Sequence, residues 1–245
     1  MTGASHKSAA GHALFWVREK IMSDDFPPVE SALRDPDGLL AIGGNLSPQR
    51  LLDAYRHGIF PWFSQGQPIL WWSPNPRCVL EPGALKISRS LRKTLRHRPF
   101  RVTFNQAFDD VIRACAAPRR TTRDTWLTRD MAVAYYRLHV MGHAVSVECW
   151  NGGTLAGGLY GICIGRVFFG ESMFSAEPNA SKVALAHLAH ELRLRGFRMI
   201  DCQIHSRHLR SLGAVPMPRN LFVNILNRDC TQPDVRDWPL ESQLP

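Results

Sequence analysis

The run Ala156-Gly157-Gly158-Leu159-Tyr160-Gly161-Ile162-Cys163-Ile164-Gly165-Arg166-Val167-Phe168-Phe169-Gly170-Glu171-Ser172-Met173 decides the fold. Two apolar segments flank Gly165-Arg166, which reads as the two-residue turn of a β-hairpin. The segment before it, Ala144 to Trp150, alternates as a third strand. After it, Ser181 starts a helix whose Leu185, Leu188, Ala189 and Leu192 recur at helical spacing, with Gly196 as the stop. Strands followed by a covering helix and a further strand predict an α+β sheet domain with packed helices.

That further strand is Met199-Ile200-Asp201-Cys202-Gln203-Ile204. Its apolar residues alternate, so Ile200, Cys202 and Ile204 are expected on one face and Asp201 and Gln203 on the other. An acid and an amide would then stand about 6.6 Å apart on one rigid element. A charge beside a group that both donates and accepts is the type of fixed polar site that amide-forming chemistry needs. The plain alternative is a strand edge facing solvent.

Upstream, Ser47 caps a helix that carries Pro48 in its first turn, Leu51, Leu52 and Tyr55 on its apolar face, and Gly58 at its end. Asp37 to Gly44 reads as turn, strand, turn. The dense aromatic and proline segment from Ile59 to Pro76 excludes a helix and marks a seam. Residues 25–75 are thus expected to form a small N-terminal α/β domain and residues 76–245 the larger one; residues 1–24 read as a loosely ordered extension. Ser88 to Arg98 predicts a helix with Leu91 and Leu95 inward. Asn105 is expected to cap the next helix, with Phe108, Val111, Ile112 and Cys115 inward. Thr128 caps another, with Met131, Ala134, Tyr135 and Leu138 inward, and a last helix is expected near Asn220 to Leu226.

The chain has 245 residues, 44% of them hydrophobic, so it can bury a core and is not globally disordered. Thirty Lys and Arg against 21 Asp and Glu give a net charge of +9, which favours an anionic partner, nucleic acid before membrane. The six cysteines show no Cys-x-x-Cys spacing and no zinc-like pairing, which predicts reduced thiols and a cytoplasmic protein. No apolar run approaches the ~20 residues that span a bilayer, and the short run Ala13 to Val17 lacks a secretory pattern. His187, His190, His205 and His208 have no third ligand in a metal pattern, so no metal is expected.

Five blocks in order resemble the leucyl/phenylalanyl-tRNA–protein transferase family. They are Gly38-Leu39-Leu40-Ala41-Ile42-Gly43-Gly44-Asn45-Leu46-Ser47, Gly58-Ile59-Phe60-Pro61-Trp62-Phe63, Trp71-Trp72-Ser73-Pro74-Asn75-Pro76-Arg77, Gly170-Glu171-Ser172-Met173-Phe174-Ser175 and Asp201-Cys202-Gln203. The likeness runs from about Phe26 to about Asn227. It implies a GNAT-like (acyl-CoA N-acyltransferase-like) larger domain. It also implies transfer of Leu, Phe or less readily Met from aminoacyl-tRNA to an N-terminal Arg or Lys of acceptor proteins, tagging them for N-end rule degradation. The resemblance implies a monomer with no metal, cofactor or membrane partner.

On the same resemblance Asp201, Gln203 and Glu171 are the catalytic residues. Trp62, Trp126 and Phe168 match aromatic positions around the aminoacyl-adenosine, where a ring stacks on the base. Leu159, Leu188 and Ile200 fall at the apolar pocket. Arg89, Arg92, Lys93, Arg96 and Arg98 form a basic stretch for tRNA phosphates, against the plain alternative of a solvated helix face. Strict alternation separates Phe168 from Glu171, and a bulge near Gly170 would reconcile them.

Two other functions fit parts of the sequence. An acyl-CoA-dependent acyltransferase needs a glycine-rich loop at a helix N-terminus, yet Ser175-Ala176-Glu177-Pro178-Asn179 contains no glycine and one acid. A non-catalytic RNA-binding module fits charge and aromatics but gives Asp201 and Gln203 no role.

Overall fold

The computed structural model describes residues 25–117 and 127–244. Ten strands form two sheets: β1 (Leu39–Ile42), β2 (Phe60–Pro61) and β3 (Leu70–Trp72) in the order β1-β3-β2, and a seven-stranded sheet ordered β10-β4-β9-β8-β7-β6-β5. The large sheet comprises β4 (Arg77–Leu80), β5 (Arg101–Phe104), β6 (Ala144–Asn151), β7 (Thr154–Ile164), β8 (Val167–Ser175), β9 (Met199–Asp201) and β10 (Val215–Met217). All its ladders are antiparallel except β8–β9, which is parallel. The chain is therefore α+β, as its strand and helix order implies.

Among the described residues, seven α-helices surround the sheets: α1 (Pro48–Arg56), α2 (Arg89–His97), α3 (Phe108–Ala116), α4 (Arg129–Val140), α5 (Ala180–Leu194), α6 (Arg207–Ser211) and α7 (Arg219–Asp229). Side-chain caps fix four starts. Ser47 accepts from Arg50 N–H, Ser88 from Leu91, Thr128 from Met131 and Ser206 from Leu209. Asn105 does not cap α3, which begins after Ala107. It takes a left-handed conformation (φ 58°) and its carboxamide accepts from Ser146 N–H on β6, so a cross-strand bond replaces the expected cap. Helix α5 starts one residue before Ser181, behind left-handed Asn179.

Alternate residues of β7 and β8 feed two cores on opposite faces of the large sheet. Leu159, Cys163 and Phe168 pack with α5 and with Leu91 of α2. Tyr160, Ile162, Phe169 and Val167 pack with α1, α3, α4, α7 and the small sheet. Each fully buried Leu or Phe in these clusters contributes about 1.5–3 kcal/mol. The small sheet shares no ladder with the large one, yet one hydrophobic cluster includes both Trp71 and Phe222. Gly157 permits a close approach of β7 to the start of α5, since a Cβ there would lie 2.6 Å from that of Ala180.

Candidate active site

The strand carrying Asp201 is shorter than its alternation predicts. β9 ends at Asp201, and Gln203 turns into the left-handed region at φ 55°. The turn is held locally: Gln203 N–H donates to Asp201 Oδ1 at 2.9 Å, and Cys78 N–H donates to the Gln203 carbonyl at 3.1 Å. The extended strand expected through Gln203 therefore stops short, but both side chains turn to the same side: Asp201 meets Arg77 against Phe60 and Phe222, and Gln203 meets Glu171, which Tyr55 and Tyr135 of that same core hold. Asp201 is 0% exposed and points into the core, while Gln203 reaches the wall of a cavity of about 950 Å³.

Arg77 explains how a carboxylate survives that burial. Its Nε and Nη2 donate to Asp201 Oδ1 and Oδ2 at 2.8 and 2.7 Å, and Nη1 donates to the Gly58 carbonyl at 3.0 Å. The guanidinium lies 4.7 Å from the ring centroids of both Phe60 and Phe222. A planar, bidentate cation held this way neutralises Asp201 and fixes its orientation. Asp201 thus makes its hydrogen-bond contact with the cavity wall through the backbone of Gln203.

Glu171 does face the cavity. The β7–β8 register slips between Tyr160–Ser172 and Gly161–Gly170, which leaves Glu171 as the extra residue of a bulge. The expected bulge is present, but it does not carry Glu171 to the face of Phe168. Glu171 bonds to Tyr55 and Tyr135 of one core, while Phe168 packs in the other. Both reach one cavity because the β8–β9 ladder stops at Phe169–Asp201, where the sheet opens.

Three donors converge on the Glu171 carboxylate. Tyr55 Oη donates to Oε1 and Tyr135 Oη to Oε2, each at 2.7 Å, and Gln203 Nε2 donates to Oε1 at 3.2 Å. Burial raises its pKa to about 7; the Tyr135 and Tyr55 hydrogen bonds oppose that rise, the Asp201 charge adds to it, and Arg77 opposes it. Burial also pushes both tyrosine hydroxyls well above their ordinary value, so they remain donors.

Of the residues expected at the pocket, Leu159, Phe168, Leu188 and Ile200 are buried and line the cavity. Trp62 also lines it and is 42% exposed, its ring edge-on to Trp72. Trp126 lies outside the described residues. Arg89, Arg92, Lys93 and Arg96 are all exposed on α2, and Arg98 closes that helix in a left-handed conformation. Asn179 Nδ2 donates to Ser90 and Thr94 of α2, which sets the basic helix against the start of α5, whose Ser181 and Leu185 line the cavity. His187 bonds Ser242 rather than facing the cavity.

Sequence reading overlooked Arg77, Tyr55 and Tyr135 as site residues. Their signals were an arginine opening the apolar run Cys78-Val79-Leu80, and two inward tyrosines whose hydroxyls need buried partners.

A family model described as leucyl/phenylalanyl-tRNA protein transferase matches residues 79–227, and one described as the N-terminal domain of that transferase matches residues 44–75. Two relatives bear the name leucyl/phenylalanyl-tRNA–protein transferase. The protein of Pseudomonas syringae pv. syringae is 56% identical over 225 residues, covering 92% of this chain and 97% of its own. That of Aromatoleum aromaticum is 63% identical over 198 residues, covering 81% and 84%. Among solved structures, a functionally unknown conserved protein from Staphylococcus epidermidis aligns at a TM-score of 0.38 and 13% identity, covering 74% of this chain and 68% of its own. These matches and the site define an aminoacyltransferase. The chain belongs to the leucyl/phenylalanyl-tRNA protein transferase family.

Proposed function

We propose that this enzyme moves Leu, Phe and, less readily, Met from aminoacyl-tRNA to the N-terminal Arg or Lys of acceptor proteins. It would act as a monomer in the cytoplasm and mark those proteins for N-end rule degradation. The observation that carries this reading is one cavity with an apolar side built from Leu159, Phe168, Leu188 and Ile200 and a polar side built from Glu171 and Gln203. The first suits a Leu or Phe side chain, and the second suits an incoming cationic amine. A GNAT-like larger domain from residue 76 onward is supported by the lone parallel pair β8–β9, joined through α5 and opening at the cavity.

In this reaction the acceptor α-amine attacks the ester carbonyl carbon, and the bond from that carbon to the ribose oxygen breaks. The ester is activated relative to the amide formed, so no nucleotide triphosphate is needed. Gln203 holds the amine in line with the carbonyl. Glu171, with a pKa of about 7, attracts the ammonium form and takes its proton. The second proton of the attacking amine passes to the departing ribose oxygen, which leaves as a hydroxyl. Asp201 and Arg77 act through Gln203, whose backbone they fix. Trp62 offers a ring to the terminal adenine, and the basic face of α2 meets tRNA phosphates.

The test is a single-turnover assay with leucyl-tRNA and a protein beginning with Arg or Lys. Gln203→Ala should slow peptide-bond formation at least about tenfold with tRNA affinity unchanged, the signature of an interaction made in the transition state. Unchanged rates would remove Gln203 from the site, and absence of transfer by the native protein would remove the function.

A further inference from the structure

Cys202 sits between Asp201 and Gln203, half-buried, and lines the cavity. Across from it on β4 stands Cys78. The ladder pairs Val79 with Asp201 and Leu80 with Ile200, and one further step opposes these cysteines. Cys202 N–H donates to the Cys78 carbonyl at 2.9 Å. The regular ladder ends there, since Cys78 N–H donates to the Gln203 carbonyl, but the two thiols are in hydrogen-bond contact, which brings their sulfurs within reach of a disulfide. Both side chains pack with the cluster beneath α5, so they leave the sheet on the same face.

Cys78 differs electrostatically from Cys149, Cys163 and Cys230. Burial pushes Cys149 and Cys230 to about 12 and Cys163 well above its ordinary value. The Cys78 pKa is instead lowered, first by the Cys202 thiol, which donates a hydrogen bond to it, with Arg77 adding to the effect. Cys202 is raised in return, so the Cys78 sulfur is the better proton acceptor of the two. Cys202 thus combines an open cavity at its sulfur with a neighbouring sulfur that accepts its hydrogen bond.

We propose that Cys78 and Cys202 form an oxidative modification site that takes a hydroperoxide and closes to an intramolecular disulfide. The Cys202 sulfur attacks a peroxide oxygen and the O–O bond breaks. With hydrogen peroxide this gives a sulfenic acid on Cys202 and one water. The Cys78 sulfur then attacks the Cys202 sulfur, the S–O bond breaks, and a second water leaves carrying the Cys78 proton. In total, two thiols lose two hydrogens and one peroxide becomes two waters. The consequence for transfer rests on the function proposed above. The new bond draws the Cys202 sulfur toward β4 and strains the left-handed turn at Gln203, which halts peptide-bond formation until a dithiol reduces it.

The experiment treats the reduced full-length chain with stoichiometric hydrogen peroxide, blocks remaining thiols with N-ethylmaleimide, and maps peptides by mass spectrometry. A Cys78–Cys202 cross-linked peptide is expected. Cys78→Ala should stop at a Cys202 sulfenic acid that dimedone traps. No cross-link, or one between other cysteines in a protein still folded by circular dichroism, overturns the site. In parallel, single-turnover transfer should fall at least tenfold on oxidation and return with dithiothreitol. A cross-link that leaves transfer unchanged overturns the coupling to function and the placing of Gln203 at the reacting centre, while the modification itself stands.

Discussion

Gln203 occupies a backbone region that a side chain rarely enters, at φ 55°. The carboxylate of Asp201 holds it there by accepting its N–H, and Arg77 holds Asp201. Strain retained through a buried ion pair is a common device for aiming a functional group. Gln203→Asn should test it. Asparagine tolerates the left-handed region, so the fold should keep its melting temperature, while the shorter amide falls away from Glu171 and single-turnover transfer drops. Asp201→Asn leaves Arg77 charged and buried without its partner. A stability loss of about 3–5 kcal/mol is expected in urea unfolding, together with slower transfer. Glu171 predicts a pH effect of fixed sign. The folded chain keeps this proton up to about pH 7, whereas the unfolded chain releases it near 4.5. Between those values the unfolded state binds fewer protons, so this group lowers stability by up to about 1.4 kcal/mol per pH unit. Unfolding measured at pH 5 and pH 7 should show that slope in the native protein and not in Glu171→Gln.

At the scale of elements, most helices were legible in the sequence, though not the short α6 (Arg207–Ser211), and several strands were not. Ser47, Ser88 and Thr128 announce helix starts because each side-chain oxygen satisfies a backbone N–H that would otherwise lack a partner. β4 escaped notice because it is buried on both faces and carries no alternation; its one charged residue, Arg77, is buried too. β10 contains Pro216, which an edge strand tolerates but which reads as a loop. Alternation placed Ile200 and Asp201 on opposite faces correctly, but it could not show that Asp201 is buried against Arg77. A period of two holds only while the backbone stays extended, and that stretch ends before Gln203. The bulge at Glu171 was expected because the family resemblance placed Phe168 and Glu171 at one site; alternation itself put Glu171 on the side it occupies, opposite Phe168. On α2, reversing Arg89 and Lys93 to Glu should weaken tRNA binding and flatten its dependence on salt. A salt titration should give a slope shallower by about 0.9 for each phosphate that the helix no longer neutralises. Binding unchanged at moderate salt would show a helix face that meets only solvent.

Over the whole molecule, the C-terminal segment acts as a strap across the core beneath α5. Trp238 stacks on Phe104 with ring centroids 5.5 Å apart, and Val235 is buried in the same cluster. Ser242 joins His187 to Glu191, and Arg195 Nη2 reaches the Asp237 carbonyl. Burial lowers the His187 pKa to about 4, so acid unfolding should include proton uptake by this residue below pH 6.5. Trp238→Ala should cost about 2–3 kcal/mol, less than a fully enclosed tryptophan, since its ring is half-buried. Differential scanning calorimetry would read it, with transfer at 25 °C little changed because the strap lies away from Glu171 and Gln203.

The grip on Glu171 has a consequence for exchange between homologues. Tyr55 comes from the first sixty residues and Tyr135 from the middle of the chain, and their hydroxyl oxygens lie 3.0 Å apart. A chimera that borrowed the small sheet and α1 from a relative would have to land that phenol within about 1 Å to restore the same grip. Grafts cut at the seam should therefore fold more often than they work, and activity should return when the two tyrosine-bearing helices are transplanted as a pair.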